Sequence, residues 1–137
     1  MLRVVIDPNV FVSAVISSDG VPAQVVRAAL ARKFQLFVSA ALIEELSDVL
    51  SRPKLRPYIE SEQARTLVDS VLGVAELIDN PEPTRSTVRD PGDEYLCSLA
   101  DATAADFLVS GDKDLSDAAL VTAVVMTPRA FLDELSA

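Results

Sequence analysis

Histidine is absent from this chain of 137 residues. That absence excludes an imidazole acid or base, a Ser-His-Asp triad and the usual zinc and copper sites. Any catalytic acid, base or metal ligand must come mostly from Asp and Glu, and oxygen-only ligand sets select Mg2+, Mn2+ or Ca2+. Cysteine occurs once, at Cys97, which rules out an internal disulfide and a cysteine-based zinc site. Aromatic residues are 5% of a chain that is 50% hydrophobic, so the core must be built from Val, Leu, Ile and Ala. That composition suits a parallel α/β layer structure better than an aromatic-rich β-sandwich. No apolar run approaches the roughly 20 residues needed to span a bilayer. The N-terminus lacks the charged, apolar and small-residue regions of a signal peptide. The expectation is a soluble, cytoplasmic protein without membrane contact. No repeat or linker interrupts the sequence, and its length fits one domain over residues 1–137.

What the chain has in excess is negative charge, with 21 acids against 12 bases and a net charge of −9. This argues against a non-specific nucleic-acid binder, which would normally be basic. It does not exclude a metal-dependent nuclease, because clustered carboxylates lose part of their charge to bound cations and a local basic patch still meets phosphates. General acidity also serves solubility, and that accounts for most of the surface charge.

The organising stretch is Leu2-Arg3-Val4-Val5-Ile6, an apolar run that ends in Asp7-Pro8-Asn9. Such a run suits a strand buried on both faces in a parallel sheet. Pro8 should stop it, leaving Asp7 at the carboxyl end, where open α/β sheets gather their ligand sites. Further along, Val10 to Ile16 reads as a short helix and Val21 to Lys33 as another, with Pro22 in its first turn. Phe34 to Val38 reads as the second strand, Ser39 as the cap of a helix from Ala40 to Leu50, and Ser61 as the cap of a helix over roughly Glu62 to Ala75 with Leu67, Val68, Val71 and Leu72 inward. Glu76 to Ile78 is a candidate third strand. Asn80 to Asp93 is the longest irregular stretch, with three prolines, and loops of that length are often functional. A helix over Glu94 to Ala104, a strand over Phe107 to Val109, one helical turn over Leu115 to Leu120, a strand over Val121 to Met126 and a helix from Thr127-Pro128 through Leu135 complete the pattern. Strands alternating with helices predict a parallel sheet with right-handed crossovers.

Each acid has an ordinary use beside a chemical one. Asp7 is equally a turn residue before Pro8. Glu45 flanks the buried face of its helix, whereas Glu44 points to solvent. Asp93, in Arg89-Asp90-Pro91-Gly92-Asp93-Glu94, suits a helix N-cap. Asp112 and Asp114 sit in the polar turn Ser110-Gly111-Asp112-Lys113-Asp114, where Gly111 permits a tight bend. With a strand order 3-2-1-4-5, strands one and four are neighbours, and Asp7, Glu45, Asp93 and Asp112 converge. Converging carboxylates repel, and their pKa values rise unless a cation joins them.

Four pieces in order carry a resemblance: Val5-Ile6-Asp7-Pro8-Asn9-Val10-Phe11-Val12-Ser13-Ala14, Ser39-Ala40-Ala41-Leu42-Ile43-Glu44-Glu45-Leu46, Arg89-Asp90-Pro91-Gly92-Asp93-Glu94-Tyr95-Leu96 and Leu108-Val109-Ser110-Gly111-Asp112-Lys113-Asp114-Leu115. Together they resemble the PIN-domain family of metal-dependent ribonucleases, and within it the VapC-like toxin components. Arg52-Pro53-Lys54-Leu55 and Thr127-Pro128 resemble the same branch. The resemblance implies a three-layer α/β fold, with a parallel sheet of four to five strands in the order 3-2-1-4-5 flanked by helices. It implies a catalytic quartet at Asp7, Glu45, Asp93 and Asp112, with Asp7, Asp93 and Asp112 on Mg2+ or Mn2+. Asn9, Ser110 and Asp114 match accessory positions, Ser110 standing where threonine is usual. Pro8 departs from the family's threonine and removes a hydroxyl and a backbone donor beside Asp7. The resemblance also implies an RNA substrate, a homodimer and a small antitoxin covering the acidic cleft.

Arg52, Lys54 and Arg56 are candidates for holding the RNA backbone, and equally a solvated charged break between helices. Two readings compete with the nuclease. A receiver-like signalling domain would need an acidic pair after the first strand, and Asp7-Pro8-Asn9 lacks the second acid. A catalytically silent PIN-like scaffold would keep the fold and bind a protein.

Overall fold

The computed structural model describes residues 1–82, 94–112, 115 and 120–137. Strand β1 (Arg3–Ile6) lies at the centre, and Val4, Val5 and Ile6 on it are completely buried. It is followed by α1 (Pro8–Ile16), α2 (Val21–Leu30), β2 (Gln35–Ser39), α3 (Ala40–Leu50), a 3-10 turn (Pro53–Leu55), α4 (Ser61–Val74), β3 (Glu76–Ile78), α5 (Glu94–Ala102), β4 (Phe107–Val109), β5 (Val124–Met126) and α6 (Pro128–Ser136). The five strands form one sheet in the order β3-β2-β1-β4-β5, and every pairing is parallel. The order expected from the resemblance is the one observed. The crossovers from β1 to β2 and from β2 to β3 step one way across the sheet, and the crossover to β4 steps back past both. Right-handed connections therefore place α5 on the face opposite α1 to α4. The reversal falls between β1 and β4, where open α/β sheets leave a crevice at the strands' carboxyl ends.

Local chemistry explains the boundaries. Asp7 is the N-cap of α1, accepting from Asn9 N (3.0 Å), and Pro8 takes the first helical position. That position has no intrahelical N–H bond to lose, so the proline departure is structurally neutral. Ser39 Oγ caps α3 by accepting from Leu42 N (3.3 Å), and Asn80 Oδ1 accepts from Ala41 N (2.9 Å) in the same turn. Thr127 Oγ1 caps α6 by accepting from Ala130 N (3.1 Å). Between helices and sheet, Phe131 of α6 is fully buried, edge-on to Phe34 and Phe107 at centroid distances of 5.0 and 5.8 Å.

Several expectations shift. The cap of α4 is Glu60, whose N–H donates to Gln63 Oε1 (3.0 Å), and Ser61 is already helical. Helix α2 stops at Leu30 instead of Lys33, because Arg32 takes a left-handed φ of 58°. Helix α5 stops at Ala102 for the same reason, with Ala104 at φ 50°. The last strand is shorter than the apolar run, and Val121 is 67% exposed. Leu72, expected inward, is 37% exposed, whereas Val71 beside it is completely buried. The irregular stretch beyond residue 82 and most of the helical turn expected over Leu115 to Leu120 lie outside the described residues. Among the described residues, no helix is long and apolar enough to cross a membrane.

Candidate active site

The register of β1 and β4 builds the centre. Ile6 stands opposite Val109, so the next residues on each strand, Asp7 and Ser110, come side by side. The ladder runs one step beyond the strands, with Asp7 N donating to Val109 O (2.9 Å) and Ser110 N donating to Met126 O (3.0 Å). Both side chains are only 3% exposed. Ser110 Oγ donates to Asp7 Oδ2 (2.8 Å) and accepts from Asp112 N (3.0 Å), so one hydroxyl holds the carboxylate and shapes the turn that presents Asp112. Asn9 supports Asp7 through its backbone N–H, which donates to Oδ1. Its side chain is exposed.

Burial raises the pKa of Asp7 above its ordinary 3.8; the Asn9 N–H and the Ser110 hydroxyl oppose that rise, and the charges of Glu45 and Asp112 add to it. Acids from β1, α3 and the turn after β4 are thus close enough to sense one another. Asp7, Asn9 and Asp112 line a single open cleft of about 500 Å3, with Ser13, Pro22 and Pro128 on its walls. Asp93 and Asp114 lie outside the described residues.

Glu45 is exposed on α3 and accepts a hydrogen bond from the Tyr95 hydroxyl at the start of α5. Tyr95 escaped the sequence reading. Its one signal was position, two residues past Asp93 in a helix start of a chain poor in aromatics. The basic break divides. Arg52 meets Asp48 at 3.4 Å on the surface, Lys54 is exposed, and Arg56 turns inward. Arg52 stands two residues past the end of α3, the helix that carries Glu45.

The donor set fits a hard divalent cation. It contains only oxygen donors, and Asp7 is a buried carboxylate beside two more acids. Among the described residues, no group of three or more acids or thiols forms a ready-made metal cage. Asp7 and Asp112 supply two carboxylates, and Mg2+ characteristically keeps several waters beside one or two carboxylates.

Comparison with known proteins places this geometry. An uncharacterized protein, MJ1680, of Methanocaldococcus jannaschii is 30% identical over 114 residues, covering 83% of this chain and 73% of that protein. A family model described as PIN domain matches residues 3–114, from the first residue of β1 through the turn that carries Asp112. With the 3-2-1-4-5 parallel sheet and the acids at its switch point, the chain belongs to the PIN-domain family.

Proposed function

We propose that this chain is a single PIN-like domain acting as a Mg2+- or Mn2+-dependent endoribonuclease that hydrolyses RNA phosphodiester bonds. PIN domains are generally nucleases and usually use divalent ions, which supports the coarse activity. The observation that carries the finer reading is the buried Asp7 carboxylate, held by Ser110 and Asn9 at the β1/β4 switch point within the electrostatic reach of Glu45 and Asp112. In a chain without histidine, acid-base and phosphoryl chemistry on that edge falls to carboxylates.

In this reading Asp7 and Asp112 hold the ion, with Asp93 as a third ligand. A bound divalent ion supplies charge neutralisation for the phosphoryl oxygens and activation of a water. The protein's own part is positioning. Ser110 and Asn9 keep Asp7 ionised and oriented, Glu45 accepts a proton from the attacking water, and Tyr95 fixes the rotamer of Glu45. Asp114 acts as an accessory acid, and Arg52 and Lys54 meet the RNA backbone. The resemblance to VapC-like components supports a homodimeric cytoplasmic toxin of a type II pair, blocked by a small antitoxin.

The test is cleavage of single-stranded RNA by the purified protein with Mg2+, with Mn2+ and with chelator. The expected result is metal-dependent cleavage that falls by more than about 100-fold in Asp7→Asn and Asp112→Asn, beyond the 10–100-fold typical of groups that only support metal ligands. Cleavage unchanged in both folded variants refutes the site. Metal-independent silence of the wild type refutes the enzyme and leaves the binding scaffold.

A further inference from the structure

A second cavity lies apart from Asp7 and Asp112, between the end of α3 and the start of α4. Its volume is about 380 Å3, and Arg56, Arg65 and the serines Ser47, Ser51 and Ser61 stand on its walls. It shares no lining residue with the cleft of Asp7 and Asp112. Arg56 is half-buried there. Its Nη1 donates to Ser61 Oγ (2.7 Å), its Nη2 donates to the carbonyl of Leu50 at the end of α3, and its Nε is buried without a hydrogen-bond partner among the described residues. Neither Arg56 nor Arg65 has an ion-pair partner among the described residues, although acids outnumber bases 21 to 12 in the chain.

A guanidinium held by a helix end is ordinary capping, and one such bond explains Nη2. It does not explain a second guanidinium on the same cavity or the absence, among the described residues, of any carboxylate from the lining. The guanidinium fork and serine hydroxyls match the oxygens of a phosphoryl group. The cavity has room for such a group with the sugar or waters attached to it.

We propose that this cavity is an oxyanion site that takes a phosphoryl group, with Arg56 and Arg65 as its cationic ligands. The group comes either from an RNA strand or from free phosphate. The first source deepens the ribonuclease reading and rests on it, and the second is independent of it.

The experiment titrates inorganic phosphate into the metal-free full chain, following heat of binding and the Nε–H signal of Arg56 by NMR. Saturable binding that shifts the Arg56 signal is expected. Arg65→Gln and Arg56→Lys each weaken it by about tenfold, the loss of one charge-assisted bond, while Lys33→Gln leaves it unchanged. Arg65 lies on the exposed side of α4, so its variant remains informative if Arg56→Lys fails to fold. Single-stranded RNA is then added in chelator. Displacement of phosphate assigns the site to an RNA phosphate, and phosphate that stays bound under saturating RNA assigns it to the free anion. No saturable binding, or equal weakening by Lys33→Gln, overturns the proposal. None of these readouts involves cleavage, so failure of the nuclease reading is seen separately.

Discussion

Replacing Ser110 by alanine removes one oxygen and two hydrogen bonds. The hydroxyl donates to Asp7 Oδ2 at 2.8 Å and accepts from Asp112 N at 3.0 Å, in a position 3% exposed. A hydrogen bond to a charged group contributes about 1.5–3 kcal/mol, and the half-buried Asp112 N–H can turn to water, so its loss adds under about 1 kcal/mol. The expected destabilisation near neutral pH is about 2–3 kcal/mol. For a domain of this size that lowers Tm by roughly 6–15 °C. The deficit depends on pH with a definite sign. Asp7 has a folded pKa above its unfolded value, so its ionisation lowers stability as pH rises through the raised value and is relieved below the ordinary 3.8. Ser110 offsets part of that cost only while Asp7 is charged. The Ser110→Ala deficit is therefore largest at neutral pH and shrinks in acid, and Ser110→Thr restores most of it. Urea denaturation of the three proteins across the carboxylate range measures this. An equal deficit at both ends refutes the electrostatic reasoning and leaves packing alone, and no deficit at all refutes the contact.

Other outcomes follow from the same structure. Tyr95→Phe keeps the ring but deletes the donor to Glu45, so RNA cleavage falls by about 10-fold with little change in Tm; unaltered kcat removes Tyr95 from the site. Phe131→Ala empties a fully buried position flanked by Phe34 and Phe107 and costs about 3–5 kcal/mol in denaturant titration, whereas a loss under 1 kcal/mol would mean the pocket collapses freely. Mn2+ or Mg2+ at about 100 times Kd stabilises the wild type by about 2.7 kcal/mol and the Asp7→Asn variant far less. Because protons compete for the raised Asp7 carboxylate, that metal-induced rise in Tm fades as pH falls through the raised Asp7 value, and a pH-independent rise would place the ion elsewhere.

The sequence by itself determined the features that are decided within one turn of backbone. The apolar run of β1 stopping before Asp7-Pro8, the helix from Ala40 to Leu50 behind Ser39 and the helix opened by Thr127-Pro128 all depend on local periodicity and on caps that bond two or three residues away. The parallel arrangement was legible because apolar strands alternate with helices, whereas the strand order came from the family resemblance. The same local logic misjudged Ser61, since Glu60 and Ser61 can each cap and only the bond to Gln63 selects between them. Tertiary structure alone decided which side chains meet across the fold. Ser110 reaches Asp7 from 103 residues away and Tyr95 reaches Glu45 from 50, and no pattern within either segment contains the distance between them. Arg52 and Arg56 look alike in the sequence, yet one faces solvent and the other turns into a cavity, because the direction of a side chain in an irregular break is set by the helices that pack around it.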